Sequence, residues 1–176
     1  MKKLTLITLL SAITAVPAFA ATGDTSTGAA TFSGFVPGFV ANGEILVTGA
    51  GGNTDSASYI GTLQVNADGT FETTKPVVLE AHAYDGSTVG ALTSANWTVS
   101  QVNVLPAAMA EILPSIKVGD QVSTMELDQA QVQSATQLAS GETIQLYVAN
   151  DIAHSTPDDI AGTEIIVNVD MIATLP

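Results

Sequence analysis

The sequence predicts an all-β fold, an antiparallel immunoglobulin-like sandwich, on three observations. Valine, isoleucine and threonine recur in short runs along most of the chain. The chain also contains 15 glycines and 7 prolines, most of which separate these runs as turn residues do. Seven or more segments alternate apolar and polar residues, which is the period of a strand with one buried face. Short strands at regular turn spacing favour a sandwich over an open sheet.

Residues 1–20 have the pattern of a cleaved secretory signal peptide. A positive stretch at residues 1–3 precedes an almost continuous apolar run at 4–16, and residues 18–20 place alanines at the −3 and −1 positions of a cut. The apolar run is too short to span a membrane, and no other stretch is long enough. We therefore predict an exported chain that begins at Ala21 and has no membrane span.

Charge and cysteine content exclude several classes of function. The chain has 4 lysines, no arginine and 17 acidic residues, for a formal net charge of −13. Without a basic patch it cannot neutralise phosphates, so nucleic acid is excluded as a partner, and anionic lipid is disfavoured. The absence of cysteine excludes disulfides, thiol catalysis and thiolate metal sites.

In the first half, the predicted elements are strands joined by short turns. Asp68 and Gly69 form a hairpin turn in which glycine supplies the positive φ, and Pro76 interrupts strand pairing. Residues 49–53 are a glycine-rich loop. The predicted strands lie at residues 29–36, 44–48, 59–65, 70–74 and 77–84.

In the second half, residues 96–104 alternate over nine positions and predict a half-buried strand. We expect Trp97, Val99 and Gln101 to share its core face, with a sugar-stacking role for Trp97 as the alternative. A helical turn is predicted over 106–113. Further strands are predicted at 122–127, 131–138, 143–149 and 164–172, of which the second could equally be helical.

No motif for catalysis is present. The sequence contains neither a nucleophile elbow, nor a zincin helix, nor a phosphate-binding loop. His82 and His154 are far apart in sequence, and a catalytic base also needs a positioned partner. We therefore predict a protein that is not an enzyme, with no catalytic residue, cofactor or metal site.

Acidic clusters keep calcium binding open as an alternative. Asn53 with Asp55, and Asp151 with Asp158 and Asp159, offer oxygen atoms of the kind that calcium prefers. Neither cluster has the ligand spacing of an EF-hand.

The segment that follows the leader, residues 21–36, carries the most information about function. Its first residues are small and polar, and residues 29–36 then alternate, with one face formed by Ala30, Phe32, Gly34 and Val36. Such a strand can pair with its own sheet, or it can complete the sheet of a neighbour by β-augmentation. Its glycines let the backbone lie close to a groove floor.

Taken together, these features resemble a cysteine-free major pilin of the chaperone–usher type, similar to alpha-type fimbriae and common-pilus subunits. The shared features are the leader, the alternating extension, the Thr/Val/Gly-rich sandwich and the hydrophobic last strand at 164–174. The chain lacks the disulfide and the penultimate tyrosine of the best-known pilins. The resemblance divides it into a signal peptide (1–20), a candidate donor strand (21–36) and a sandwich domain (37–176).

The resemblance implies a structural subunit of a bacterial surface filament that serves adhesion or biofilm formation. Its sandwich would be incomplete, and the donor strand of the next subunit, with Ala30, Phe32, Gly34 and Val36, would fill the groove and extend a homopolymer. The groove would be lined by the last strand through Ile165, Val167, Val169 and Met171. A periplasmic chaperone and an outer-membrane usher are the implied partners, and the implied route leads through the periplasm to the cell surface.

Two other functions explain the same leader and sandwich. One is an acidic monomeric surface or biofilm-matrix protein, secreted and calcium- or carbohydrate-binding. The other is a carbohydrate-binding module that uses Trp97, Tyr59 and Tyr84 for stacking.

Overall fold

A computed structural model describes residues 44–176. These residues form antiparallel sheets packed as a sandwich, which confirms the predicted all-β class. The strands are β1 (Ile45–Gly49), β2 (Thr62–Val65), β3 (Phe71–Lys75), β4 (Val77–Tyr84), β5 (Val89–Leu92), β6 (Ala95–Leu105), β7 (Lys117–Asp120), β8 (Glu126–Leu127), β9 (Gln137–Gly141), β10 (Thr143–Asn150) and β11 (Ile166–Thr174). A short helix, α1 (Gln129–Gln133), and 3₁₀ helices at Ala50–Gly52, Ser56–Tyr59, Ala107–Ser115 and Pro157–Ile160 connect them.

The larger sheet is built around β3 and β4, which are separated in sequence only by Pro76. On one edge of this pair, β2 pairs with β3 and β1 pairs with β4. On the opposite edge, β10 pairs with both β3 and β4, and β5 continues along β4. Strand β7 then pairs with the far side of β10, and β8 pairs with β7. Partners distant in sequence therefore meet at β10.

The smaller sheet has three strands with β6 at its centre, between β9 and β11. Strand β11 pairs with β6 along its whole length, from Ile166 opposite Leu105 to Thr174 opposite Asn96. The predicted last strand is thus present, two residues later than its sequence pattern indicates. No helix within residues 44–176 is long and apolar enough to cross a membrane.

A β-bulge in β6 changes the predicted face of one residue. Met171 pairs with Val99 and Asp170 pairs with Gln101, so that Ser100 is left without an opposite residue. An extra residue shifts the alternation by one position. Val102 therefore joins Val99 in the core, whereas Gln101 is exposed. The prediction that Gln101 shares the core face is wrong.

Trp97 occupies the centre of the core. Its side chain is fully buried, and its indole Nε1 donates a hydrogen bond of 2.9 Å to the carbonyl of Gly141. This confirms its predicted core position and excludes a sugar-stacking role for Trp97. Other fully buried side chains include Met109, Ile112, Ile116, Val118, Leu127 and Ile144.

Several local predictions are corrected by hydrogen bonds that the residue pattern does not reveal. Residues 121–125 form a turn, and only the last two residues of the predicted strand at 122–127 are extended, as β8. The predicted element at 131–138 divides into the end of α1 and the start of β9. Helix α1 begins at Gln129 because Asp128 and Gln131 form a reciprocal capping box. Strands β5 and β7 have no counterpart among the predictions.

Candidate functional site

The residues predicted for the last strand lie together on one side of the sandwich. Val167, Val169 and Met171 point inward from β11, and Ile165 precedes them. All four side chains are half-buried and pack against the core. The predicted donor-strand residues, Ala30, Phe32, Gly34 and Val36, lie outside the described residues.

Two sheet edges face this side of the molecule. Among the described residues, β11 pairs only with β6, and β1 pairs with β4 and forms one further bridge, between Gly49 and Asn53. Strands β1 and β11 come into contact across the gap between the two sheets. We call the space between these edges the open-side groove, lined by the inward faces of β1, β2 and β11.

Two cavities show which ends of β1, β2 and β11 lie next to each other. Glu44, before β1, and Leu175, after β11, line a cavity of about 500 Å³. Val65, at the end of β2, and Ile165, before β11, line a second cavity of about 230 Å³. Strand β1 therefore leaves the end at which β11 arrives, and the two edge strands run in opposite directions.

Apolar side chains line the groove without being fully covered. Val65 faces inward opposite Phe71 but is 42% exposed, whereas Phe71 is 3% exposed. The half-buried residues that pack against the core here are Ile45, Leu63, Ile165, Val167, Val169, Met171 and Ala173. Each of these side chains is only partly buried by the other described residues, so some apolar surface remains on this side of the sandwich.

A carboxylate–imidazole pair lies on the outer face of the larger sheet. Glu80 and His82 are two residues apart on β4, with Glu80 Oε2 at 3.0 Å from His82 Nε2. The same oxygen accepts a hydrogen bond of 3.0 Å from the amide of Gly52. His82 Nδ1 lies 2.9 Å from the carbonyl oxygen of Gly90. The pair thus connects the loop after β1 and strand β5 to β4.

Hydrogen bonding overrides burial in both members of this pair. Burial opposes the charged form of Glu80, but hydrogen bonds from the Gly51 and Gly52 amides and from His82 lower its pKa. Burial likewise opposes the imidazolium, but the Gly90 carbonyl and Glu80 raise the pKa of His82. Since both ring nitrogens face oxygen acceptors, the doubly protonated ring satisfies both contacts.

The other buried polar side chains have structural partners. His154 Nε2 donates to the Ala108 carbonyl at 2.8 Å, and its Nδ1 accepts from the Thr156 amide at 3.1 Å. Asn150 is bonded to Ser115 and to the backbone of Ile152. Within residues 44–176, every fully buried side-chain nitrogen and oxygen has a hydrogen-bond partner. The two histidines lie in separate clusters. Among the described residues, no serine or threonine hydroxyl is hydrogen-bonded to the Glu80–His82 pair.

The acidic clusters considered for calcium are engaged in local contacts. Asn53 accepts a hydrogen bond from the amide of Asp55, in an exposed turn. Asp151 pairs with Lys117 at 3.4 Å. Asp158 and Asp159 lie in the 3₁₀ helix Pro157–Ile160. Among the described residues, no group of three His, Asp or Glu side chains is placed to hold a metal ion.

Sequence reasoning did not identify the Glu80–His82 pair, although a signal for it exists. Residues at positions i and i+2 of a strand point to the same face, so Glu80 and His82 share the outer face of β4. What the spacing cannot reveal is that Gly52 and Gly90 cover the pair.

Comparisons of the chain with protein-family models, with curated proteins and with solved structures gave no match.

Proposed function

We propose that this chain is a structural subunit of a bacterial surface filament, assembled by donor-strand exchange and serving adhesion or biofilm formation. The observation that carries the proposal is the open-side groove, where half-buried apolar residues lie beside the edges of β1 and β11, neither of which has a second strand partner within the described residues. A strand inserted there would pair with backbone groups and cover apolar side chains at the same time. In this proposal the sandwich is immunoglobulin-like and lacks one strand.

The candidate donor strand matches this groove in polarity. Residues 25–43 contain no charged side chain, although the whole chain has a net charge of −13. In an inserted strand, Ala30, Phe32, Gly34 and Val36 would form one face and present only apolar or small groups to the groove. Burying Phe32 would contribute about 1.5–3 kcal/mol.

The unpaired edges also explain why a partner is needed. A flat, apolar strand edge that stays uncovered promotes aggregation. Strand β11 pairs with β6 over nine residues and leaves its other edge open within the described part of the chain. A periplasmic chaperone would cover this edge before assembly, and an outer-membrane usher would deliver the subunit to the filament.

The first test compares two phenylalanines of the segment. Phe32→Ala should abolish assembly, since truncating a packed phenylalanine costs about 3–5 kcal/mol. Phe35→Ala is the matched control and should leave assembly intact, because the alternation of residues 29–36 in sequence would put Phe35 on the opposite face. Gly34→Leu should block assembly by steric conflict. Sedimentation and electron microscopy of the assembled material measure these effects.

The second test removes the segment altogether. A chain without residues 21–36 should aggregate or unfold at a lower temperature than the chain from residue 21 onward. Moving the segment behind Pro176 on a flexible linker should restore a stable monomer. If the truncated chain is a monomer that melts at the same temperature, no groove needs filling. An acidic monomeric surface or matrix protein is then the better account.

A further inference from the structure

We infer that filaments of this chain associate side by side through the outward side of the smaller sheet, where the partner is a second copy of the chain. We call this surface the amide face, because five side-chain amides lie on it: Asn96, Gln101, Asn103, Gln137 and Asn168. The inference rests on the proposed function, because a filament repeats the surface many times. It adds a lateral contact to the contact made by donor-strand exchange.

Strand pairing holds the amide face on the solvent side of the sandwich. Asn168 of β11 lies directly opposite Asn103 of β6, and Asp170 lies directly opposite Gln101. All four side chains are exposed, and they alternate with side chains that face the core. A strand inserted beside β11 would extend this sheet at its edge and would leave the amide face uncovered.

Charge favours this surface for contact between copies. Residues 44–176 contain 16 acidic residues and 2 lysines, so two copies of the chain repel each other. Strands β6, β9 and β11 together contain one charged residue, Asp170. The outward side of the larger sheet, by contrast, carries Glu72, Lys117 and Glu126. Of the two outward sides, the amide face therefore brings fewer like charges together.

The amides also suit a partner that carries the same groups. A side-chain amide both donates and accepts hydrogen bonds, so it can pair with its own copy, whereas two carboxylates cannot. Gln101 Nε2 donates to Asn103 Oδ1 at 3.1 Å, which orders this pair. The amide of Asn168 has no hydrogen-bond partner among the described residues. Leu105 and Ile172, which are 48% and 51% exposed, add apolar area to the same surface.

A neutral polysaccharide is the other occupant that an uncharged polar surface suggests. Stacking of sugar rings needs an exposed aromatic side chain. The single aromatic residue of β6, β9 and β11 is Trp97, which is buried in the core. The amide face therefore favours a second copy of the chain over a glycan.

The size of the amide face makes the contact depend on repetition. Strand β11 has nine residues, so that it spans about 30 Å, and three strands about 4.8 Å apart are roughly 14 Å wide. The surface is then at most about 400 Å² per copy, about half of what each partner buries in a stable interface. One pair of copies is therefore weakly bound, whereas two filaments make the contact many times and gain avidity.

The test measures the sodium chloride concentration at which filaments of the chain from residue 21 onward form bundles. Salt screens the repulsion between filaments, so bundling should begin above a threshold concentration. Gln101→Glu adds a charge to the amide face and should raise this threshold or prevent bundling. Asp170→Asn removes the one charge of the three strands and should lower the threshold. Light scattering gives the threshold, and electron microscopy distinguishes bundles from single filaments.

Gln64→Glu and Glu72→Gln are the matched controls. Gln64 and Glu72 lie opposite each other in β2 and β3, as Gln101 and Asp170 do in β6 and β11. All four side chains are exposed and point away from the open-side groove, so each variant should still form filaments. The controls change the total charge by the same amounts, but on the larger sheet, and should shift the threshold less.

The other outcomes separate the inference from the function on which it rests. Equal shifts in the variants and their controls would show that total charge alone matters, which overturns the amide face and leaves donor-strand exchange standing. Wild-type filaments that stay separate at every salt concentration would have the same meaning. If such filaments bind insoluble neutral polysaccharide and Gln101→Glu abolishes the binding, the surface belongs to a glycan instead. If the wild type forms no filaments, both proposals fail.

Discussion

His82 lies between two oxygen acceptors, so its protonation state affects the stability of the folded protein. The protonated ring can donate to both Gly90 and Glu80, whereas a neutral ring has one donor only. Folding raises the pKa of His82 above its usual 6.5 and lowers that of Glu80 below its usual 4.5. The charged pair therefore stabilises the folded state most in the interval between these two values.

We expect stability to fall at both ends of this interval. The His82 contribution is complete below pH 6.5 and is lost as pH rises through the raised folded-state pKa. The Glu80 contribution is present above pH 4.5 and is lost as pH falls through the lowered folded-state pKa. Urea unfolding of the wild type should thus give a smaller free energy of unfolding at about pH 8.5 than at about pH 5.5.

His82→Gln should make this decline between the two pH values shallower. Glu80→Gln should act in the same direction, because Glu80 helps to raise the pKa of His82. Repulsion among the other acidic groups also grows with pH, but it is common to the wild type and the variants. Equal declines in the wild type and in His82→Gln would show that the pair does not contribute.

Asp120 is a second residue with a buried charge, and backbone hydrogen bonds stabilise that charge. It is 1% exposed. Burial opposes its ionisation, but amide hydrogen bonds from Gln145 and Ser123 at 2.8 Å each, and from Val122 at 3.3 Å, lower its pKa. The carboxylate thereby holds the turn after β7 against β10.

Asp120→Asn should destabilise the protein by about 2–3 kcal/mol. The amide offers one acceptor oxygen, so that its NH₂ group faces a backbone N–H and at least one hydrogen bond to a charged group is lost. Asp128→Asn is the control, because Asp128 caps α1 and asparagine caps helices as well as aspartate does. Denaturant unfolding of both variants measures the difference, and equal stability would contradict this role for Asp120.

At the scale of the element, the bulge in β6 sets the faces of its second half. Ser100 has no opposite residue in β11, and beyond Thr98 strand β6 pairs with β11 alone. Removing Ser100 would leave Val99 opposite Met171 and Gln101 opposite Asp170. The alternation of core and surface residues would then be regular across the whole strand.

We therefore expect the Ser100 deletion to fold with only a small loss of stability. Deletion of Thr98 is the control, because it puts Trp97 and Val99 on opposite faces. Displacing the tryptophan from the core should cost about 3–5 kcal/mol, as truncation of a buried aromatic does. Thermal unfolding monitored by Trp97 fluorescence distinguishes the two deletions. A larger loss for the Ser100 deletion would mean that the bend itself is required.

Some elements could be predicted from local residues and others could not. The hairpin at Asp68-Gly69 could be predicted because few residues other than glycine tolerate a positive φ. In the structure Gly69 adopts φ = 85°. Strands β10 and β11 carry a clear alternation of burial over eight residues. By contrast, β7 contains only four residues and has three consecutive buried positions, including Asp120. Its conformation depends on β10, with which it pairs.

At the scale of the whole molecule, negative charge dominates. Residues 44–176 contain 16 acidic residues and 2 lysines. One of these lysines, Lys117, is paired with Glu126 and Asp151 at 3.6 and 3.4 Å. Most of the acidic groups therefore repel one another in the folded state, and salt should screen this repulsion.

We expect the melting temperature to rise by about 2–4 °C when sodium chloride is raised from about 0.01 M to about 0.1 M, which shortens the screening length from about 30 Å to about 10 Å. Asp158→Asn with Asp159→Asn should weaken this response, because both side chains are exposed and the change removes two charges. Calorimetry at constant pH measures the shift. A melting temperature that does not change with salt would show that the repulsion is unimportant.

Local residue patterns were sufficient to predict the strand content, the apolar face of the last strand and the placement of Trp97 in the core, whereas the export signal stays a prediction. These features are local, since a period of two residues and a buried aromatic can be recognised in a short window. The same local pattern singled out residues 29–36 as a candidate donor strand.

Which of the described strands form the sheet edges, and hence where the open-side groove lies, could be learned from the tertiary structure alone. Edges are set by pairing between distant segments, such as β10 with β3 and β11 with β6. It also decided the faces of Gln101 and Val102, because one extra residue reverses an alternation that appears continuous in sequence. The partners of His82 and Asp120 likewise come from remote backbone groups. The edges, the faces and these hydrogen-bond partners all depend on register and backbone hydrogen bonding. Both are cooperative properties of the assembled sheet, and no single segment encodes them.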